Sequence, residues 1–256
     1  MMTGKMPVPP RKKHEHSNMQ KAIIIGASSG IGRELAKILS QNNYVVGLVG
    51  RRIELLSELQ SEISTKTYVK CIDIVQTAEA INLFEELIRE MDGMDLIVIS
   101  SGVGFINHGL DWVQEKETIE VNVSGFTAMA SAAFKYFCKQ GSGHIVGISS
   151  IAAIRGGSES PAYNASKAFV SNYMEGLRQK ASKLKLPIII TDIQPGFVNT
   201  AMAKGEGLFW VASPGKAAWQ IFKAIKNKKK HAYITKRWRI IAWLLKVMPD
   251  WVYNRL

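Results

Sequence analysis

Only two cysteines, Cys71 and Cys138, occur in 256 residues. That excludes a disulfide framework, and neither thiol has the neighbours of a metal-ligand set. Each falls in an apolar stretch, one strand-like and one helical, which predicts buried free thiols and fits a reducing cytosol. No uninterrupted apolar run is long enough to span a bilayer, and the first twenty residues lack the apolar stretch of a signal peptide. Acidic residues are also few, 21 Asp and Glu against 33 Lys and Arg, for a formal net charge of +12. The excess lies at the two ends, in residues 1–21 and 226–256, and leaves the body between them neutral. A nucleic-acid-binding fold would spread basic residues over a core surface around a reading element, and none is found, so no nucleic acid is expected as a partner.

What is present is one well-patterned core. At 46% hydrophobic residues, the chain suits a single α/β domain better than two. Residues 1–20 are polar, basic and proline-containing and read as a disordered extension. Residues 21–235 read as the catalytic domain and 236–256 as a helical C-terminal extension. Short β-rich runs, approximately 21–25, 44–49, 67–72, 96–100, 143–149, 187–193 and 232–234, alternate with helical patterns over 32–39, 53–63, 77–90, 115–138, 162–182 and 214–225. Apolar strands linked by helices predict a Rossmann-type doubly wound parallel sheet of about seven strands, with helices on both faces.

Chemistry is concentrated in the stretch PAYNASKAF, where Tyr163 and Lys167 stand four residues apart and share one helix face. A free phenol, with a pKa of about 10, exchanges protons slowly near neutrality unless a nearby cation stabilises its phenolate. Lys167 would supply that cation. Directly after the first strand come Gly26, Ala27, Ser28, Ser29, Gly30, Ile31 and Gly32, opening the first helix. Such a turn brings backbone close to a pyrophosphate at the unpaired N–H groups of a helix start.

The end of the second strand lacks the acid that would bond ribose hydroxyls and repel a 2′-phosphate. It reads Val49-Gly50-Arg51-Arg52. Arg51 can pair with a phosphate through its planar fork, with Arg33 close enough to assist, so NADP(H) is favoured over NAD(H). Asp73, followed by Ile74, either accepts from an adenine amino group or is a plain strand-end turn residue.

Taken together, GASSGIG, Asn122, Ser149-Ser150, YNASK and Pro195-Gly196 resemble the short-chain dehydrogenase/reductase family in its single-domain form. The resemblance spans roughly residues 21–234. It implies a nicotinamide dinucleotide, a small carbonyl or alcohol substrate, a homo-oligomer (dimer or tetramer), and a catalytic group Asn122, Ser150, Tyr163 and Lys167. Ser150 is preferred to Ser149 because it lies thirteen residues before the tyrosine, and because neighbours on a strand face opposite sides. By the same resemblance, Ser101 and Gly102 border the cofactor, and Pro195, Gly196, Val198 and Thr200 hold the nicotinamide end. Two positions depart from the pattern: Ile25 stands where the family often has Thr, and Ser100-Ser101-Gly102 where Asn-Ala-Gly is common. The second, at a strand end that braces the sheet, puts sheet-edge hydrogen bonding in doubt more than chemistry. Residues 202–212 read as a lid over the substrate.

After Ile234 the chain carries Trp238, Trp243 and Trp251 among Leu, Ile and Val, with Lys and Arg at intervals. Three destinations are open: a wall of the cleft, a subunit interface, or peripheral contact with an anionic membrane at its inner, cytoplasmic face. Packing against the same or a second subunit is placed first. The expected function is an NADP(H)-dependent oxidoreductase interconverting a carbonyl and a secondary alcohol. The alternatives are a non-catalytic dinucleotide-binding regulator and a membrane-attached interaction protein.

Overall fold

The computed structural model of the protein describes residues 19–202 and 209–255. The expected disorder of residues 1–18, and the part of the expected lid at residues 203–208, lie outside the described residues. Seven parallel strands form one sheet in the order β3-β2-β1-β4-β5-β6-β7. They are β1 (Gln20–Ile25), β2 (Tyr44–Gly50), β3 (Thr67–Cys71), β4 (Leu96–Ile99), β5 (Gly143–Ile148), β6 (Ile188–Pro195) and β7 (His231–Ile234). The interleaved helices are α1 (Gly30–Gln41), α2 (Ile53–Glu62), α3 (Thr77–Glu90), α4 (Trp112–Ile119), α5 (Phe126–Gln140), α6 (Pro161–Lys183) and α7 (Pro214–Lys226). After β7 come α8 (Trp238–Val247) and α9 (Asp250–Tyr253).

Strand alternation divides the core into two layers. Ile23, Ile25, Ile97, Ile99 and Ile145 face one side, with Phe84, Phe126, Phe137 and Met174 from α3, α5 and α6. Their strand neighbours Ala22, Ile24, Leu96, Val98 and Val146 face the other, with Leu35, Leu39, Ile221 and Phe222 from α1 and α7. The period of two is thus visible directly in which residues join which layer. The strand order reverses between β1 and β4, so the strands splay at their carboxyl ends there and leave a crevice.

Three expectations are corrected. β1 begins at Gln20, which pairs with Tyr44, and Met19 packs against the core, so the ordered domain starts before residue 21. The single helix expected over 115–138 is α4 and α5 joined by a π-helical stretch, Glu120–Gly125. Cys71 is exposed rather than buried, and both thiols are free. It ends an outer strand whose residues are at most half-buried, so an apolar sequence context did not translate into burial.

The C-terminal extension folds back on its own domain. Trp238 is buried against Phe197, Phe209 and Trp210, with ring centroids 5.3, 5.1 and 6.1 Å away. A Cβ on Gly196 would lie 2.0 Å from the Trp238 ring, so only glycine fits beneath the indole. Further along, Arg155 donates to the Met248 carbonyl at 2.9 Å, pairs with Asp250 at 2.5 Å, and lies 4.3 Å over the Tyr253 ring. Of the three destinations, packing on the same subunit is therefore observed for one face of α8.

Trp238→Ala is expected to cost about 3–5 kcal/mol of stability, as large-to-small changes in a packed site do. Trp243→Ala, at an exposed position of the same helix, is expected to stay within about 0.5 kcal/mol. Urea unfolding of both variants checks the contrast; equal losses would mean that α8 is not held by its Trp238 face.

Candidate active site

A cleft of about 720 Å³ opens at the carboxyl ends of the strands. It is lined by Gly26, Ser28, Ser29, Gly30, Ile31, Arg51, Asp73, Ile74, Ser101, Gly102, Ser150, Tyr163, Lys167, Pro195, Gly196, Val198 and Thr200. Of the residues singled out from the sequence, Gly32, Arg33 and Asn122 do not line it.

The glycine turn is built by close approach. Gly26 has φ 91°, and a Cβ there would stand 2.6 Å from the Ser101 backbone nitrogen, so the end of β4 lies directly against the turn. The doubt about hydrogen bonding at that strand end is answered by the backbone, because Ser100 N–H donates to the Ile25 carbonyl at 2.8 Å. The Ser101 hydroxyl, by contrast, is buried with no hydrogen-bond partner. That is a donor and acceptor aimed at nothing in the protein, which a polar ligand in the cleft would satisfy.

Charge at the second strand end differs from expectation. Arg33 turns away to α2, where its guanidinium meets Glu58 at 3.0 Å and also Glu62. Two carboxylates one helical turn apart hold it there. The arginine that meets the glycine turn is Arg52, donating to the hydroxyls of Ser28 at 2.8 Å and Ser29 at 2.9 Å. Sequence reasoning named Arg52 only as part of a pair and gave it no role; the two serines were the available signal. Arg51 is exposed at the cleft. Asp73 accepts from the backbone N–H of Val75 at 3.1 Å, a turn arrangement, while still lining the cleft.

Deeper in, the adjacent serines separate as strand alternation requires. Ser149 donates to Asp192, and Ser171 donates to the other oxygen of that buried carboxylate at 2.6 Å. Ser150 instead lines the cleft with Tyr163, its hydroxyl accepting from the Ala152 N–H at 3.1 Å. Tyr163 and Lys167 both sit in the first turns of α6, which starts with Pro161, a residue suited to that position because its missing N–H has no helical acceptor to lose. The Tyr163 ring packs on Gly104, a contact that the sequence does not announce. The Lys167 ammonium is buried, donates to the Ile148 carbonyl at 3.2 Å and lies 5.6 Å from the Tyr163 ring centroid.

Asn122 is held by the π-helical stretch. Its amide donates to the Val103 carbonyl at 2.8 Å and to Ser166 at 3.0 Å, while its carbonyl accepts from the Val103 N–H at 2.9 Å. A Cβ on Gly102 would meet the Lys167 ammonium at 3.1 Å and the Asn122 carbonyl oxygen at 3.2 Å, so these two side chains converge on one spot beside the cleft.

Burial dominates the ionisation of the pair. It pulls the Lys167 ammonium down to about 8, a displacement that the Asp192 carboxylate partly offsets. It also raises the Tyr163 phenol above its ordinary value, with the neighbouring Ser150 hydroxyl pulling the other way. Loss of solvation is the larger influence on the phenol, and the Lys167 ammonium is not among the groups that shift it. A serine hydroxyl, a phenol and a poised ammonium on one cleft wall can donate hydrogen bonds and a proton to an oxygen placed among them.

Residues 20–208 match the family model described as short chain dehydrogenase. The chain belongs to the short-chain dehydrogenase family. An uncharacterized oxidoreductase of Myxococcus xanthus is 35% identical over 187 residues, covering 71% of this chain and 73% of the relative. Another, of Mycobacterium tuberculosis, is 30% identical over 247 residues, covering 92% and 96%. Among solved structures, a short-chain dehydrogenase from Streptomyces avermitilis superposes with a TM-score of 0.78 at 21% identity, covering 93% of this chain and 96% of that one. Two further structures carry dinucleotides: an alcohol dehydrogenase from Thermococcus sibiricus complexed with 5-hydroxy-NADP, and a 3-ketoacyl-(acyl-carrier-protein) reductase from Brucella melitensis complexed with NADH. Their TM-scores are 0.74 and 0.76 at 20% and 19% identity, covering 84% and 85% of this chain and 96% and 97% of theirs. These structural likenesses establish the fold. The close approach at Gly26 and the unpartnered Ser101 hydroxyl fit a nicotinamide dinucleotide in this dehydrogenase's cleft.

Because the buried lysine has a folded pKa near 8 against an ordinary 10.5, the unfolded chain binds more protons across that interval and wild-type stability rises with pH there. Lys167→Met removes a charge whose burial costs roughly 3 kcal/mol at neutral pH, at about 1.4 kcal/mol per pKa unit. The variant is therefore expected to be more stable than wild type at pH 7 and to lose that advantage between pH 8 and 10.5. Denaturant titrations across that range check it; a constant difference would mean that the ammonium is not held against its solvation.

Proposed function

We propose that this chain is an NADP(H)-dependent oxidoreductase that interconverts a small carbonyl compound and the corresponding secondary alcohol, with Tyr163 as the acid and base. The observation that carries the reading is that Ser150, Tyr163 and the buried ammonium of Lys167 line one cleft, with the ammonium 5.6 Å from the Tyr163 ring centroid. When bound, the nicotinamide dinucleotide supplies or accepts the hydride. Gly26, Ser28, Ser29, Gly30 and Ile31 would hold its pyrophosphate end, with Asp73 and Ile74 at the adenine, while Gly32 leaves room for the Gly26 carbonyl inside the turn. Ser101, Gly102, Pro195, Gly196, Val198 and Thr200 would hold the nicotinamide end.

The chain's own residues do the proton work. Tyr163 gives its phenolic proton to the substrate oxygen during reduction and takes it back during oxidation. Ser150 donates to the same oxygen and stabilises the charge that develops there. Lys167 positions the ribose and, as the site becomes polar, supplies the cation that a phenolate needs. Asn122 anchors the Val103 backbone and so the floor on which Lys167 rests. A non-catalytic regulator would have no use for a serine hydroxyl, a phenol and a buried ammonium gathered on one cleft wall.

The preference for NADP(H) over NAD(H) is supported by the absence of an acid at the end of β2 and by two arginines there. Arg51 is free to turn to a 2′-phosphate, and Arg52 already reaches the Ser28 and Ser29 hydroxyls. We further read the protein as a cytoplasmic homo-oligomer. An exposed free thiol at Cys71 suits a reducing compartment. Trp112, Val113 and Ile119 of α4 and Phe169 of α6 are exposed on two helices that pack together, which suits a subunit interface.

Tyr163→Phe is expected to keep NADPH affinity, measured by fluorescence titration, and to lower turnover on a carbonyl panel by about 10²–10⁴-fold. Wild-type turnover in that variant would remove Tyr163 from the chemistry. Arg51→Ala is expected to weaken NADPH binding by at least tenfold while leaving NADH within about twofold, since only the former offers a phosphate to pair with. Equal losses for both cofactors would refute the phosphate role.

A further inference from the structure

One turn-by-turn reading of α8 separates two faces. Trp238, Ile241, Ala242 and Leu245 face the domain and join the cluster around Ile151, Ile154 and Phe197. At 100° per residue, the opposite arc holds Ile240, Trp243, Leu244 and Val247, and their exposures are 61, 63, 41 and 57%. A short step on, Trp251 in α9 is 67% exposed. Arg239 and Lys246 border this apolar arc along one edge, within 60° of Trp243, and both are exposed. A solvated helix face would carry its charges at the centre of the arc, whereas here they lie along one edge of it.

We propose that this face of α8, together with Trp251, docks in the plane of an anionic lipid bilayer surface. Tryptophan at the headgroup level, apolar side chains just below it and long cationic side chains reaching sideways to phosphates are what such a surface requires. Between residues 236 and 255 the chain has five basic residues, Lys236, Arg237, Arg239, Lys246 and Arg255, all exposed, and one acid. That acid, Asp250, is already paired with Arg155. A second copy of the chain would bring the same positive charge against itself, while anionic headgroups complement it. The lysines at 226–230 precede β7 and are separated from α8 by the length of that strand, so they are not needed for this contact.

The surface is also preformed. Trp238 seats the helix on Gly196, and Arg155 clamps its far end through the Met248 carbonyl and Asp250. At ten residues, α8 is about 15 Å long and cannot cross a bilayer, and among the described residues no helix is long and apolar enough to do so. The contact is therefore in the interface plane. Phe209 and Trp210, both exposed, pack on Trp238, and Phe197 of the cleft lining touches Phe209 at 5.8 Å. Docking would thus set the cleft mouth beside the lipid, where an apolar carbonyl compound dissolved in the bilayer could enter. This corollary about substrate class rests on the oxidoreductase reading; the docking itself does not.

The test is flotation of the full-length protein with vesicles of phosphatidylglycerol and phosphatidylcholine, against vesicles of phosphatidylcholine alone. Binding to the anionic vesicles, reversed by high salt and accompanied by a blue shift of tryptophan emission, is expected. Arg239→Gln with Lys246→Gln should weaken it by about 25-fold, near fivefold for each cation removed. Trp243→Ser with Val247→Ser should abolish the blue shift while leaving the thermal transition in place. No binding at low salt, equal binding to both vesicle types, or binding untouched by either pair would overturn the proposal. So would light scattering that shows an oligomer which the Trp243→Ser, Val247→Ser pair dissociates, since the occupant would then be a second copy. Because flotation does not involve turnover, an inactive Tyr163→Phe protein that still floats separates failure of the catalytic reading from failure of this one.

Discussion

A buried ammonium is expensive, and the architecture around Lys167 is arranged to tolerate one. Its nitrogen reaches a single carbonyl, at Ile148, and the nearest compensating charge is the Asp192 carboxylate, itself buried. That carboxylate is satisfied by Ser149, Ser171 and Gln194, with His231 at 3.4 Å. Each of these partners comes from a different stretch of the sheet or from α6, so the charge state of one helix residue depends on the register of β5, β6 and β7. Strand register is set by the apolar alternation that fills the two core layers. Packing of the core and electrostatics of the cleft are consequently one problem rather than two.

The same dependence explains the π-helical stretch between α4 and α5. A regular helix would carry Asn122 past the cleft at a fixed rotation. The wider turn at Glu120–Gly125 lets the side chain reach both backbone groups of Val103 and the Ser166 hydroxyl at once. π-Turns inside helices are uncommon and concentrate where a side chain needs re-aiming. Here the beneficiary is the loop that follows β4, which carries Gly102 under the ammonium and Gly104 under the tyrosine ring.

Much of this was legible in the chain. Strand and helix periods placed all seven strands to within about two residues, and α3 to the residue, because two-sided burial leaves a strong apolar signal. Ser150 was preferred to Ser149 on its family spacing to the tyrosine, and alternation required only that the two hydroxyls part; they do, Ser149 turning to the Asp192 carboxylate. The failures share a cause. Arg33, Arg52 and Cys71 are long or edge-located side chains whose partners lie in other elements, so nothing local decides between a phosphate, a carboxylate pair and solvent. The π-turn was invisible because its backbone uses ordinary helix-forming residues, and the seating of Trp238 because a tryptophan in a cationic tail reads equally well as an anchor or as a core residue.

Gly196 and Trp238 lie 42 positions apart yet fill the same space. Any side chain gained at Gly196 would need the indole to leave, and an indole could not have been acquired at Trp238 before the backbone opposite it was bare. The two positions are therefore constrained to change in a fixed order, the glycine first on the way in and the tryptophan first on the way out. A lineage that acquired such a tail on this sheet would have been committed, by one steric fact, to keeping the turn after β6, which lines the cleft, free of side chains.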